Sequence, residues 1–184
     1  MNVNLITERS KILTNLMALT VVQPKLVHVV ENQFRDSVEY FVTCAPDDYG
    51  KLVGKSGNNV KAWWSICDAA ALKEFGTPGT IIVKTPPDKK HGEPQKFIYD
   101  PNFTDEVIKA HIMSLCSIVF ERGVVEVAST DPSQAFVSIT AHGYINPLVN
   151  QDRLDLAFDR VASCIGNAHG RHVKAEVNFR TDEN

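Results

Sequence analysis

Gly50-Lys51-Leu52-Val53-Gly54-Lys55-Ser56-Gly57-Asn58-Asn59-Val60-Lys61 sets three glycines among lysines, a hydroxyl and two amides. That composition lets a backbone come close to a phosphate. The phosphate belongs either to a nucleotide or to a nucleic-acid strand, and spacing separates the two. A nucleotide-binding P-loop needs a glycine five positions before Gly54, where this chain has Tyr49; Gly50 is one residue out, and the loop must close on a phosphate of fixed size. The next β-rich run, Thr80–Thr85, ends in Lys84 and Thr85, so no strand-terminal aspartate is placed to orient Mg²⁺. What fits is a G-x-x-G turn, Gly54–Gly57, between a short helix and a long one.

Outward from the turn, Asn58–Phe75 is alanine-rich and stops at Gly76, which predicts a long helix, and Pro46-Asp47-Asp48 predicts the start of a short one over Asp48–Val53. Asp47 and Asp48 are read as a cap rather than as catalytic carboxylates. Upstream, Leu5–Leu19 has helical spacing, and Lys25–Glu31 and Val38–Ala45 are β-branched and aromatic. With Thr80–Thr85 as a third strand, the first unit reads α-β-β-α-α-β. Residues 87–101 concentrate prolines and polar residues and read as a linker between a domain at 1–86 and another at 102–184. The second half reads helix at Asp105–Phe120, strands at Val124–Ser129 and Ala135–Ala141, helix at Asn150–Ile165 and strand at Val173–Phe179. Leu52-Val53 and Leu148-Val149 correspond at an offset of 96 residues, so the element order suggests an internal repeat.

The turn, with Val42–Tyr49 before it and Asn58–Ala71 after it, resembles the KH domain, and the element order over residues 1–86 resembles its type II form as found in small bacterial RNA-binding proteins. The resemblance implies an α+β fold. It also implies a loop that clamps about four unpaired nucleotides by their backbone, while the bases lie in a groove between helix and sheet edge. The physical chemistry agrees: Gly57 removes a side chain where a sugar-phosphate comes close, and the helix starting at Asn58 points free amides at the same place. The expected RNA-binding residues are Lys51, Gly54, Lys55, Ser56, Gly57, Asn58, Asn59, Lys61 and Trp64. Helical projection puts Trp63 in the core and Trp64 on another face, where an indole either stacks a base or packs against the second unit. The family has a polar or basic residue at the Trp64 position, so the chain departs there. In the second half the corresponding run, Asn150-Gln151-Asp152-Arg153, has no glycine and an acid that would repel phosphate. That unit is expected to be a degenerate KH-like scaffold that meets a protein partner or a second copy.

Overall composition sets the remaining bounds. The formal net charge is −3, but residues 1–86 carry nine Lys or Arg against eight Asp or Glu, and residues 87–184 carry ten against fourteen. The first half is the one suited to a polyanion, and Tyr49–Cys67 holds no acid. No run approaches the roughly 20 apolar residues of a membrane span, so a cytoplasmic protein with no membrane partner is expected, in the host cytoplasm if the chain is phage-encoded. Cys44, Cys67, Cys116 and Cys164 are scattered singly and read as core residues; His169 and His172 lack ligating neighbours, so no metal and no cofactor are expected. No acid–base or nucleophile–base pair speaks for catalysis. The reading is a non-enzymatic protein that binds single-stranded RNA, mRNA or another transcript, in post-transcriptional regulation or RNA protection. A protein–protein adaptor with a vestigial KH fold and a nucleotide hydrolase are the alternatives.

Overall fold

The structure, a computed structural model, describes residues 4–85 and 99–180. The first half consists of β1 (Asn4–Leu5), α1 (Glu8–Ala18), β2 (His28–Gln33), β3 (Val38–Thr43), α2 (Tyr49–Val53), α3 (Asn58–Phe75) and β4 (Gly79–Val83). The second half consists of α4 (Asp105–Val119), β5 (Arg122–Asp131), β6 (Gln134–His142), α5 (Gln151–Ala168) and β7 (His172–Arg180). The fold is α+β, as the sequence implies. Most of the expected linker falls on residues 86–98, outside the described residues.

The two sheets share one pairing plan. In the first, of order β1-β2-β3-β4, β2 and β3 are antiparallel and β4 joins β3 in parallel. In the second, of order β5-β6-β7, β5 and β6 are antiparallel and β7 joins β6 in parallel. A parallel pair needs a crossover, and α3 and α5 supply it. The second half departs between its antiparallel hairpin and that crossover. Gly143–Asn150 runs directly into α5 without a counterpart of α2, and Leu148-Val149, which the offset matched to a helix, lies in a turn. Asn150 starts α5 as an ordinary cap, its Oδ1 accepting from the Arg153 N–H at 2.9 Å. The second unit therefore has a similar element order and no G-x-x-G loop.

The helices of the two halves meet in the middle, α3 along α5 and α1 against α4, with a sheet on either outer side. One hydrophobic cluster runs through both layers, from Leu13, Leu16 and Tyr40 through Trp63 and Ile66 to Leu115, Phe158 and Ile139. Alanines at 62, 69, 70 and 71 are buried on α3. A helix covered on several sides needs short side chains where other backbones approach it. Cys67 and Cys116 are buried in this cluster, and burial pushes their thiols up, that of Cys116 to about 12. Cys44 and Cys164 are half-buried.

Two buried charges fasten the first half. The Glu31 carboxylate accepts two bonds from Arg9, at 2.9 and 3.0 Å, and one each from Thr7 and Gln33. Burial would raise its pKa, yet these donors, Arg9 foremost, hold it below the ordinary value. The Asp48 carboxylate accepts from the Val22 and Gln23 N–H groups at 2.9 and 2.8 Å. It makes no capping bond to α2, so the expected cap is instead a tie to the loop after α1.

Candidate nucleic-acid interface

Gly54–Gly57 joins α2 to α3, helix to helix, whereas a P-loop joins a strand to a helix. The turn is tight because three of its four residues have positive φ: Gly54 at 75°, Ser56 at 55° and Gly57 at 75°. Gly54 also has ψ 169°, a region open essentially to glycine alone. A Cβ there would stand 2.5 Å from Asn59 Cγ. Gly57 is in the ordinary left-handed region, and a Cβ there would meet only Val60 Cγ1, at 3.7 Å. The side chains of Lys55 and Ser56 are exposed at the tip. No side chain caps the N terminus of the 18-residue α3, so its first amides, next to Gly57, have no side-chain acceptor.

The expected site residues divide into two groups. Lys55, Ser56, Asn58 and Lys61 are exposed around the turn and the first turn of α3. Lys51 and Asn59 are engaged within the protein. Lys51 Nζ lies 3.1 Å from Asp48 Oδ1. Asn59 pins the turn: its Nδ2 donates to the Lys51 carbonyl at 2.7 Å, and its Oδ1 accepts from Arg160 Nε of α5 at 2.8 Å. That pin fills the space a Cβ on Gly54 would need.

Trp63 is buried and Trp64 is 40% exposed. The Trp64 indole N–H donates to the Gly79 carbonyl at 3.0 Å, and the Arg153 guanidinium lies 5.6 Å over its ring. Trp64 is thus tied to the first sheet by its nitrogen and covered in part by the second half. On the other side of the turn, α2 adjoins β4, and Thr85 Oγ1 donates to Tyr49 Oη at 3.3 Å, linking helix and sheet edge. Arg153 and Arg160 were not among the residues expected from sequence. The signal was present as basic residues seven apart on α5, but the acids beside them, Asp152, Asp155 and Asp159, mask it in any count of charge.

His169 and His172 end α5 and begin β7; the His169 ring stacks on Phe103 at 4.2 Å. Among the described residues no group of three or more His, Cys, Asp or Glu could hold a metal ion, and no helix is long and apolar enough to cross a membrane.

No family model matches the chain. It is similar to the RNA-binding protein KhpA of Clostridium perfringens (strain 13 / Type A), 38% identical over 52 residues that make up 28% of this chain and 69% of that protein. Over that length the chain belongs to the family of the RNA-binding protein KhpA.

Proposed function

We propose that the protein binds single-stranded RNA through the turn at Gly54–Gly57 in the manner of a type II KH domain, with residues 1–86 as the binding unit and 102–184 as its scaffold. The observation that carries this reading is the turn itself, three positive-φ residues that present an exposed lysine and serine beside an uncapped helix N terminus. Backbone N–H groups and Lys55 bind phosphate without regard to base, Gly57 leaves room for the sugar, and Asn58 and Lys61 extend the contact along α3. Lys51 acts through Asp48 and the loop position, and Asn59 fixes the turn from within. Both are positioning residues in this reading. Bases would be selected along the sheet edge where α2 adjoins β4, and the RNA is a transcript whose regulation or protection the protein serves in the cytoplasm. No step of chemistry is assigned.

The test is a double substitution, Lys55→Asp with Ser56→Asp. Both side chains are exposed, where substitutions shift stability by about 0.5 kcal/mol or less, so the melting temperature stays near the parent's. RNA affinity falls by two orders of magnitude or more, because carboxylates replace the donors that meet phosphate. Parent-like binding by this variant refutes the reading.

A further inference from the structure

Beside the turn, α3 and α5 enclose an open groove of about 490 Å³. It starts at Asn58, next to the turn, and is lined by Lys61 and Trp64 from α3 and by Arg153, Leu156 and Arg160 from α5. No carboxylate lines it. Leu156 is 69% exposed and Trp64 40%, so apolar surface lies open among three cations.

The basic character of this wall comes from how α5 sorts its charges. Arg153, Leu156 and Arg160 recur at helical spacing on the face toward α3. Asp155 and Asp159 share another face, toward β7. There the Asp155 Oδ1 accepts from the Val177 N–H at 2.7 Å and the Asp159 Oδ1 from the Ala175 N–H at 3.0 Å. β7 is an edge strand, and these carboxylates occupy backbone donors that would otherwise pair with another chain. Once those acids are committed to the sheet edge, a half of the chain with net negative charge still offers a locally positive face. Charge complementarity favours a polyanion over an acidic or neutral helix, and exposed apolar side chains between cations suit a strand whose bases are unpaired.

We infer that this groove is a second tract of the nucleic-acid site, in which the strand leaving the turn runs along α5 with phosphates on Lys61, Arg153 and Arg160 and bases against Leu156 and the exposed edge of Trp64. The inference rests on the proposed function of the turn. It gives the second half, which has no clamp of its own, a direct part in binding and makes the footprint longer than a single KH clamp.

Oligouridylates of 5 and 12 nucleotides, titrated by fluorescence anisotropy, separate the two tracts. At about −0.7 in log affinity per log salt for each phosphate contact, Lys55 and Lys61 alone give the 5-mer a slope of about −1.4. Adding Arg153 and Arg160 gives the 12-mer about −2.8. The 12-mer also quenches Trp64 fluorescence, with buried Trp63 as a constant background. The probe variant is Arg153→Gln with Leu156→Ser, chosen because neither residue touches the turn; its melting curve serves as the folding control. It should keep parent-like 5-mer affinity, lose about tenfold on the 12-mer from the missing charge and stacking contacts, and show a 12-mer slope shallower by about 0.7. If the 12-mer binds in a Lys55-dependent way but the groove variant matches the parent in affinity and slope, the second tract is wrong and the turn stands. If neither oligonucleotide depends on Lys55 and Ser56, the reading of the turn has failed, and the inference fails with it.

Discussion

Alanine at Gly54 and alanine at Gly57 are the same substitution three residues apart, and the structure assigns them different consequences. At Gly54 the backbone is at φ 75° and ψ 169°, where a residue with a Cβ is strained by about 1–3 kcal/mol. The new Cβ also stands 2.5 Å from Asn59 Cγ and 2.9 Å from the Asn59 backbone nitrogen. The side chain of Asn59 has to leave, and its bonds to the Lys51 carbonyl and to Arg160 go with it, each worth about 1 kcal/mol. The sum is about 4 kcal/mol, or a fall in melting temperature of about 8–16 °C at 2–4 °C per kcal/mol for a chain of this size. At Gly57 the conformation is plain left-handed and the nearest atom is 3.7 Å away, so the cost is about 1–2 kcal/mol and about 2–8 °C. RNA binding reverses the emphasis. In the proposed mode of binding, Gly57→Ala remains folded but places a methyl where the sugar-phosphate would approach, and its affinity falls by tenfold or more. Gly50→Ala is the control, since nothing lies within 4 Å of the added carbon. Differential scanning calorimetry and RNA titration of the three variants provide the comparison. A Gly54→Ala protein that melts within 2 °C of the parent, or a Gly57→Ala protein that melts below the Gly54→Ala protein, refutes the account of the turn.

The Arg9–Glu31 pair makes stability depend on acid pH. Because the folded state holds the Glu31 carboxyl below its ordinary value of 4.5, the pair's contribution is complete above that value and is lost as pH falls through the depressed one. Melting temperature should therefore drop between pH 5 and pH 3, and Glu31→Gln should start lower at pH 7 and show a shallower acid limb, as followed by circular dichroism. Asp48→Ala leaves the Val22 and Gln23 N–H groups without their acceptor and removes the ion pair to Lys51; a loss of about 3 kcal/mol is expected in urea unfolding, and parent-like stability would contradict the tie. Asn59→Ala removes the pin, and with it the acceptor of Arg160, while leaving Lys55, Ser56, Asn58 and Lys61 unchanged. Its RNA affinity should fall by about tenfold with a salt slope close to the parent's, because no charge is removed; parent-like affinity would show that the pin does not position the turn.

The α-β-β-α-α-β order was legible because its signals are local. Pro46 opens a short helical segment, alanine-rich Asn58–Phe75 stops at Gly76, and the β-branched runs lie where β2, β3 and β4 form. Boundaries shifted where proline chemistry competed with β-propensity: Pro24–Leu26 is a 3₁₀ turn, so β2 begins at His28 rather than Lys25. The two-residue β1 has too little pattern to be read. In the site, the glycines could be read from their spacing. The roles of Lys51 and Asn59 could not, because each is decided by a partner, buried Asp48 for one and Arg160 for the other. Trp64 was placed off the core by helical projection, but its bond to the Gly79 carbonyl depends on how β4 returns past α3. The basic wall of α5 stayed hidden for a similar reason, since only the packing shows that Asp155 and Asp159 turn to β7.

The bond from Arg160 to Asn59 spans 101 positions of sequence. During synthesis, residues 50–61 are made long before α5, and until α5 exists the Asn59 amide has one partner instead of two. A chain still growing can form the turn but cannot brace it, so in the proposed function full affinity for a strand comes only once α5 has been made and has packed. A stop or a cut ahead of Arg160 also takes Val161, Ile165 and Val173 out of the shared cluster, so the turn would lose its brace together with the packing behind α3 while every residue of the turn stays unchanged.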